Sequence, residues 1–254
     1  MIVNFLKTSS FLHFFTNSFL FLSFFCKSGK GNKITGWLKG LLIKTTITLK
    51  GENNHVIIEK GIKTQGLHVY VNGNNNKIII GAGSVVDYSE MWIMGNNNSL
   101  KLGEQTALNN TEIGLSNEGS SVEAEKGVKL GGYLQLGTKR TRTESLGVFA
   151  FEGKKVFFGS FSAISDGVTI RTSDSHSIYD QNKIRINQAE DVIIGHNCWV
   201  CSGAFLLKGA KIGNGCIVGT RAVVTKDFSD KDNVIIVGAP AKIVSDNISW
   251  SFEI

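Results

Sequence analysis

From Ile194 onward an aliphatic side chain returns at every sixth position: Ile194, Val200, Leu206, Ile212, Val218 and Val224. That period belongs neither to an α-helix, at about 3.6 residues, nor to a one-sided strand, at about two. Four places after each of the first five stands a small residue: Cys198, Ala204, Ala210, Cys216 and Ala222. A hexad of this kind specifies a parallel β-helix, in which three short strands and three corners close one coil and each coil stacks on the last. The aliphatic residues form inward ladders. The small ones sit beside them, where a larger group would overfill the tube.

The same architecture begins earlier, with a longer coil. Gly51-Glu-Asn-Asn, Gly73-Asn-Asn-Asn and Gly95-Asn-Asn-Asn open three segments that align without gaps and start 22 residues apart. Three hexads occupy 18 residues, so each of these coils carries four more, and Gly-Asn-Asn-Asn supplies a corner because Gly and Asn tolerate left-handed backbone. Ile58, Ile80 and Leu102 are expected to stack in one column, with the Asn-rich corners forming solvated turns and Asn ladders. Between Leu115 and Phe151 the repeat blurs, and Thr138 to Arg142 form a small basic cluster. Order resumes at Phe158, Ile164 and Ile170. From Ile170 to Ile194 is 24 residues, read as one coil plus six, so something protrudes there.

The 42% apolar content excludes a collagen-like or disordered chain despite 29 glycines. The expected organisation is a Phe-rich basic segment over 1–45, a solenoid over 46–245 and a tail over 246–254. The net charge of +6 is uneven: seven lysines and no acid precede Glu52, and the remainder holds 20 basic against 21 acidic residues. A basic body of the kind that binds nucleic acid is absent. Four cysteines in a chain of this length suggest no disulfide framework, and Cys198 and Cys216 already occupy the small inward place of the hexad. Both are expected to be buried and unpaired.

Residues 1–26 hold eight of the sixteen phenylalanines, and no charge appears from Thr8 to Cys26. The segment is expected to be helical. Three readings stand for it: an interfacial anchor followed by a lysine-rich stretch facing anionic lipid, a cleaved signal peptide, or a helix capping the solenoid or a neighbouring subunit.

The protrusion reads Arg171-Thr-Ser-Asp174-Ser-His176-Ser-Ile178, then Arg185-Ile-Asn187, followed by Ile194-Gly-His-Asn-Cys-Trp199 and, near the end, Gly238-Ala-Pro-Ala-Lys242. In these motifs, over about residues 158–250, the chain resembles the hexapeptide-repeat acyltransferases, and within them the bacterial capsule and polysaccharide sugar O-acetyltransferases. The resemblance implies an all-β, left-handed parallel β-helix, a homotrimer, and acetyl-CoA as co-substrate without a metal. It implies that His176 is the general base for a sugar hydroxyl, with Asp174 fixing the imidazole or binding the acceptor. Imidazole suits the task because its ordinary pKa of ~6.5 lies near neutrality. Trp199, Ser202, Arg185 and Asn187 would line the acetyl and acceptor pocket. Trp199, Ser202, Gly203, Thr220, Thr225, Lys226 and Lys242 would meet the coenzyme. Two departures touch that set: Thr220-Arg221 stands where a small Ala-Gly is common, and Phe228 to Asn233 replaces a proline-containing turn.

A carbonic anhydrase on the same solenoid would need three convergent histidines, and after residue 100 there are only His176 and His196. Three functions remain in contention. They are O-acetylation of a surface glycan such as capsule or O-antigen, N-acetylation of an amino sugar nucleotide or small amine, and glycan binding without catalysis. A coenzyme A donor favours a cytoplasmic protein, with membrane contact at the inner face through the N-terminus.

Overall fold

The computed structural model describes residues 12–13, 23–132 and 144–252. Nearly every strand pairs in parallel with the equivalent strand of the coil before and after it, giving sheets of ten, ten and nine strands among the described residues. Sheet 1 begins with the short antiparallel strand Leu12–His13 and runs in parallel from Ser23–Lys27 through Thr46–Lys50 and Thr169–Arg171 to Val223–Val224. Sheet 2 runs from Lys33–Thr35 to Asp227–Phe228, and sheet 3 from Leu41–Ile43 to Ile235–Val237. The chain passes from sheet 1 to 2 to 3 in every coil, turning at a first, second and third corner. Lys242–Ser245 folds back antiparallel on Ile235–Val237 and ends sheet 3.

All six hexad aliphatics from Ile194 to Val224 are buried, as are Cys198, Ala204, Ala210, Cys216 and Ala222. Burial also pushes the Cys198 thiol up to about 12, so it stays protonated at neutral pH. No cysteine is paired. Ile58, Ile80 and Leu102 stack in register as one inward column.

The four added residues of the longer coils have separate tasks. Gly51, Gly73 and Gly95 take positive φ, and a Cβ on Gly73 would lie 1.8 Å from the carbonyl oxygen of Gly95. Asn53, Asn75 and Asn97 take the left-handed conformation. The last Asn turns inward, so these corners are only partly solvated. Asn32, Asn54, Asn76 and Asn98 form a buried ladder in which each Oδ1 accepts the backbone N–H one coil on, at 2.8, 3.0, 2.9 and 2.8 Å. Their amide groups donate back to corner carbonyls, as Asn76 does to Gly95 at 2.8 Å. The ladder thereby satisfies main-chain groups that the corner would otherwise bury without partners.

Three expectations need correction. The described residues of the Phe-rich segment are strands, not helix: Ser23–Lys27 joins sheet 1 beside Thr46–Lys50, and Leu12–His13 pairs antiparallel with Ser23 and Phe24. The open edge of the first coil offers unpaired backbone groups, and strand addition satisfies them where a helix would not. The parallel ladder is therefore already running at Ser23, ahead of the expected start at residue 46. Lastly, Ile170 and Ile194 belong to successive strands of one coil, and the excess residues are an insertion at the first corner, not a coil plus six. Most of the Phe-rich segment and the Thr138–Arg142 cluster lie outside the described residues. No helix among the described residues is long and apolar enough to cross a membrane.

Candidate active site

The insertion leaves sheet 1 after Thr169–Arg171 and returns to sheet 2 at Val192–Ile194. It thus emerges from the corner that carries the Asn ladder in earlier coils. Its outer part is a small hairpin, closed by Ile186 N–H to the Ile178 carbonyl and Asp180 N–H to the Ile184 carbonyl, both 2.9 Å. Asp180 accepts the N–H groups of Asn182 and Ile184 at the hairpin turn. The hairpin joins Ser-Asp-x-His-x-Ile to Arg-Ile-Asn, which explains why the two motifs come as a pair.

Two ion pairs staple its base to the coils on either side. Arg185 forms a bidentate pair with Glu152 of the preceding coil, at 2.6 and 3.0 Å. Glu152 also accepts a short hydrogen bond from Ser173 Oγ. The Arg185 guanidinium, with Ser173 behind it, holds the Glu152 carboxyl below its ordinary range. On the other side Asp174 Oδ2 accepts Lys208 Nζ of the next coil at 2.5 Å and Asn187 Nδ2 at 2.8 Å. Lys208, then Asn187, lowers the Asp174 pKa.

Asn187, 7% exposed, is the hub. Its Nδ2 also donates to the His176 carbonyl at 2.7 Å, and its Oδ1 accepts the Ile178 N–H at 2.7 Å. Arg185 and Asn187 were expected in the acceptor pocket; their polar groups are instead engaged in holding the loop. Asp174 faces Lys208 and Asn187, not the imidazole. His176 is left exposed at the loop's bend, its backbone held before it by the Ser175 N–H on Ser173 Oγ, at 2.9 Å, and after it by Asn187.

The expected coenzyme residues divide. Trp199 sits on the sheet 3 strand Trp199–Val200 with its ring outward, 39% exposed, Nε1 donating to Ser165 Oγ at 3.3 Å. Ser202 and Gly203 follow at the third corner, where Ser202 Oγ donates to Asp166 at 2.7 Å and Gly203 has φ +71°. Thr220 is exposed at the same corner one coil later. Thr225 and Lys226 are exposed at the first corner, and Lys242 is exposed on the final antiparallel strand. His176 and Trp199 therefore stand at opposite edges of sheet 1. His196 is exposed, beside Glu125 at 3.2 Å. Among the described residues no three His, Cys, Asp or Glu side chains gather as a metal site.

Sequence reasoning missed Glu152 and Lys208, which lie 33 and 34 residues from their partners. Glu152 had one signal. It takes φ +57° at the corner place held by Gly51, Gly73, Gly95 and then Asn117 in the earlier coils, and an acid there needs a reason. Lys208 had none, since an outward lysine is common on a corner.

Comparison with known proteins gives a consistent relationship. Residues 191–226 match the bacterial transferase hexapeptide family (six repeats). The polysialic acid O-acetyltransferase of Escherichia coli O1:K1 is 35% identical over 97 residues, which is 38% of this chain and 31% of that protein. The matched stretch thus spans about a third of that curated relative. Two solved structures align over far more. The polySia-specific acetyltransferase NeuO has a TM-score of 0.67 at 26% identity, over 90% of this chain and 82% of the other. The polysialic acid O-acetyltransferase OatWY gives 0.62 at 27%, over 91% and 92%. Residues 191–226 thus carry the repeat of the hexapeptide-repeat acyltransferases, and the solenoid shares the left-handed β-helix of its solved acetyltransferase neighbours.

Proposed function

We propose that the protein is an acetyl-CoA-dependent O-acetyltransferase acting on a sugar hydroxyl of a bacterial surface glycan. The observation that carries this is His176, an exposed imidazole at the bend of a loop clamped by Glu152–Arg185 and Asp174–Lys208. A scaffold has no use for an open imidazole on a doubly fixed backbone, whereas a general base must be positioned and accessible. His176 takes the proton of the hydroxyl as its oxygen attacks the thioester carbonyl. The tetrahedral oxyanion collapses by breaking the C–S bond, and the departing thiolate takes the proton from the imidazolium. Asp174 acts on this step by fixing the loop. The backbone N–H of Ser202 at the third corner is suited to the oxyanion. Trp199 faces the acetyl group, Thr220, Thr225 and Lys226 follow the coenzyme arm, and Lys242 meets a phosphate. The relatives named for polysialic acid make an acidic polymer the first acceptor to try.

The active unit in this reading is a homotrimer. One chain holds the His176 loop and the Trp199 corner on opposite edges of sheet 1, so a second copy must complete each site. Two apolar features support such contacts. The hairpin exposes Ile178, Tyr179, Ile184 and Ile186, each more than half exposed. Sheet 1 presents Trp92 against Phe149 and Phe151 at centroid distances of 6.3 and 6.0 Å, with Trp92 lying over Gly114, where a Cβ would come within 2.2 Å of its ring. We place the protein in the cytoplasm, where acetyl-CoA is made, with residues 1–22 as its route to the membrane's inner face.

The test is release of free coenzyme A thiol in the presence of a panel of hydroxyl and amine acceptors, with product mass read in parallel. Acetyl ester on a glycan supports the reading. Acetylation of amines alone, or no thioester cleavage with any acceptor, overturns it.

A further inference from the structure

Residues 250–252 do not trail away from the solenoid. Trp250 packs against Trp199 at 5.9 Å, donates its Nε1 hydrogen to the Asn197 carbonyl at 2.7 Å, and carries Phe252 edge-on at 5.1 Å. Phe252 in turn lies under Lys129, whose Nζ is 3.7 Å from the ring centroid. Lys129, Ala163 and Trp199 occupy one outward column of sheet 3 in three successive coils. Adjacent coils are about 4.8 Å apart, so the small Ala163 leaves a slot about 10 Å tall between the lysine and the tryptophan. The tail walls this slot into a groove of about 260 Å³, with Ser165 in its lining. Nothing in the proposed proton transfer uses Lys129, Trp250 or Phe252.

We propose that this groove is the acceptor subsite, and that it selects a pyranose bearing a carboxylate, with Lys129 reading the acid and Trp199 and Trp250 stacking on the ring. The inference rests on the O-acetyltransferase reading and deepens it. Aromatic walls match the C–H faces of a sugar ring. A single ammonium matches a single carboxylate, and a lysine already partly withdrawn from water makes that contact stronger than on open surface. The coenzyme is the poorer occupant, because its several phosphate charges call for more than one cation. The volume lies below the ~300–1,000 Å³ of sites for drug-sized ligands and suits one sugar unit. Continuity with Trp199 puts that unit beside the acetyl group.

Intrinsic tryptophan fluorescence of the full chain tests this without requiring turnover. Trimers of sialic acid and of galacturonic acid are the acidic probes, a galactose trimer is the neutral one, and acetyl-CoA is titrated separately. At least one acidic trimer is expected to bind, with affinity reduced about tenfold or more in Lys129→Met and Lys129→Gln and retained in Lys129→Arg. The galactose trimer should bind the wild type and Lys129→Met alike, and acetyl-CoA affinity should not change. Trp250→Ala should weaken acidic and neutral sugars together. The proposal is overturned if neither acid binds, if both charge-neutral variants bind the acid as the wild type does, or if Lys129→Met loses acetyl-CoA instead. Transfer assays separate the two layers. Charge-selective binding without any acetyl transfer leaves the groove standing and removes the catalytic reading. Transfer with unchanged acceptor KM in Lys129→Met does the reverse.

Discussion

The two ends of the solenoid solve one packing problem in two ways. The earlier coils repeat every 22 residues and fill their first corner with Gly-Asn-Asn-Asn, whose last member enters a buried hydrogen-bonded ladder. The later coils repeat every 18 and turn with a small apolar residue, Ala or Cys, at zero exposure. One corner is held by polar satisfaction and the other by close packing. The His176 loop leaves the same corner between the two regimes, beyond the ladder's last rung at Ser120 and before the tight turn at Ala210. Chemistry is placed where the repeat is interrupted, so a long loop displaces no ladder and strains no tight turn.

The largest expected effect separates the loop from both regimes. His176→Ala should lower the turnover of acetyl transfer by roughly 10²- to 10⁴-fold, the range for a lost general base. The circular dichroism and melting temperature should stay as in the wild type, because the imidazole lies outside the core. Acetyl-CoA affinity should change little. A variant with near-normal turnover on the true acceptor would end the mechanism.

The regimes themselves should break differently. Asn76→Ala removes the acceptor for the Asn98 N–H and the donor to the Gly95 carbonyl, and each orphaned buried group costs about 1–3 kcal/mol. Its neighbour Asn75 is exposed at φ +58°, so Asn75→Gly should be within ~0.5 kcal/mol of wild type. Urea denaturation of the two variants checks the contrast, and equal losses would mean that the ladder contributes nothing special. In the tight regime Ala210→Val should cost about 1–3 kcal/mol by overpacking. If Ala210→Val is neutral, those coils have slack and the small residues are not required.

Much of this was legible in the sequence, because a periodic fold writes the same constraint many times. The hexads fixed the inward residues of the last coils, and the 22-residue spacing fixed the register of Ile58, Ile80 and Leu102. What the sequence hid lies between coils. Glu152 and Lys208 meet the loop across 33 and 34 residues, a separation set by the insertion and not by any local pattern. Arg185 and Asn187 were visible as motif residues, but their use in holding the loop depends on those partners. Phe-rich composition suggested a helix where Ser23–Lys27 is a strand, since local apolar content cannot report an open sheet edge waiting to be paired.

The smallest expected effect is one of pH, and it too divides the two regions. Glu152 and Asp174 both have carboxyl pKa values below the ordinary range, through Arg185 and Lys208 respectively. A carboxylate of lowered pKa stabilises the folded loop at any pH above its unfolded value near ~4, and that contribution is lost as pH falls through the lower folded value. Both side chains are partly exposed, so solvent screening keeps the gain modest. The asparagine ladder has no titrating group. Hydrogen exchange followed from pH 6 down to pH 3, corrected for intrinsic rates, should therefore show the amides of residues 173–190 losing protection while those at Asn54, Asn76 and Asn98 keep theirs. Glu152→Gln should show the weaker loop protection already at pH 6 and flatten its pH dependence. If loop and ladder lose protection together, acid acts on the whole solenoid, and the ion pairs are surface contacts that do not hold His176 in place.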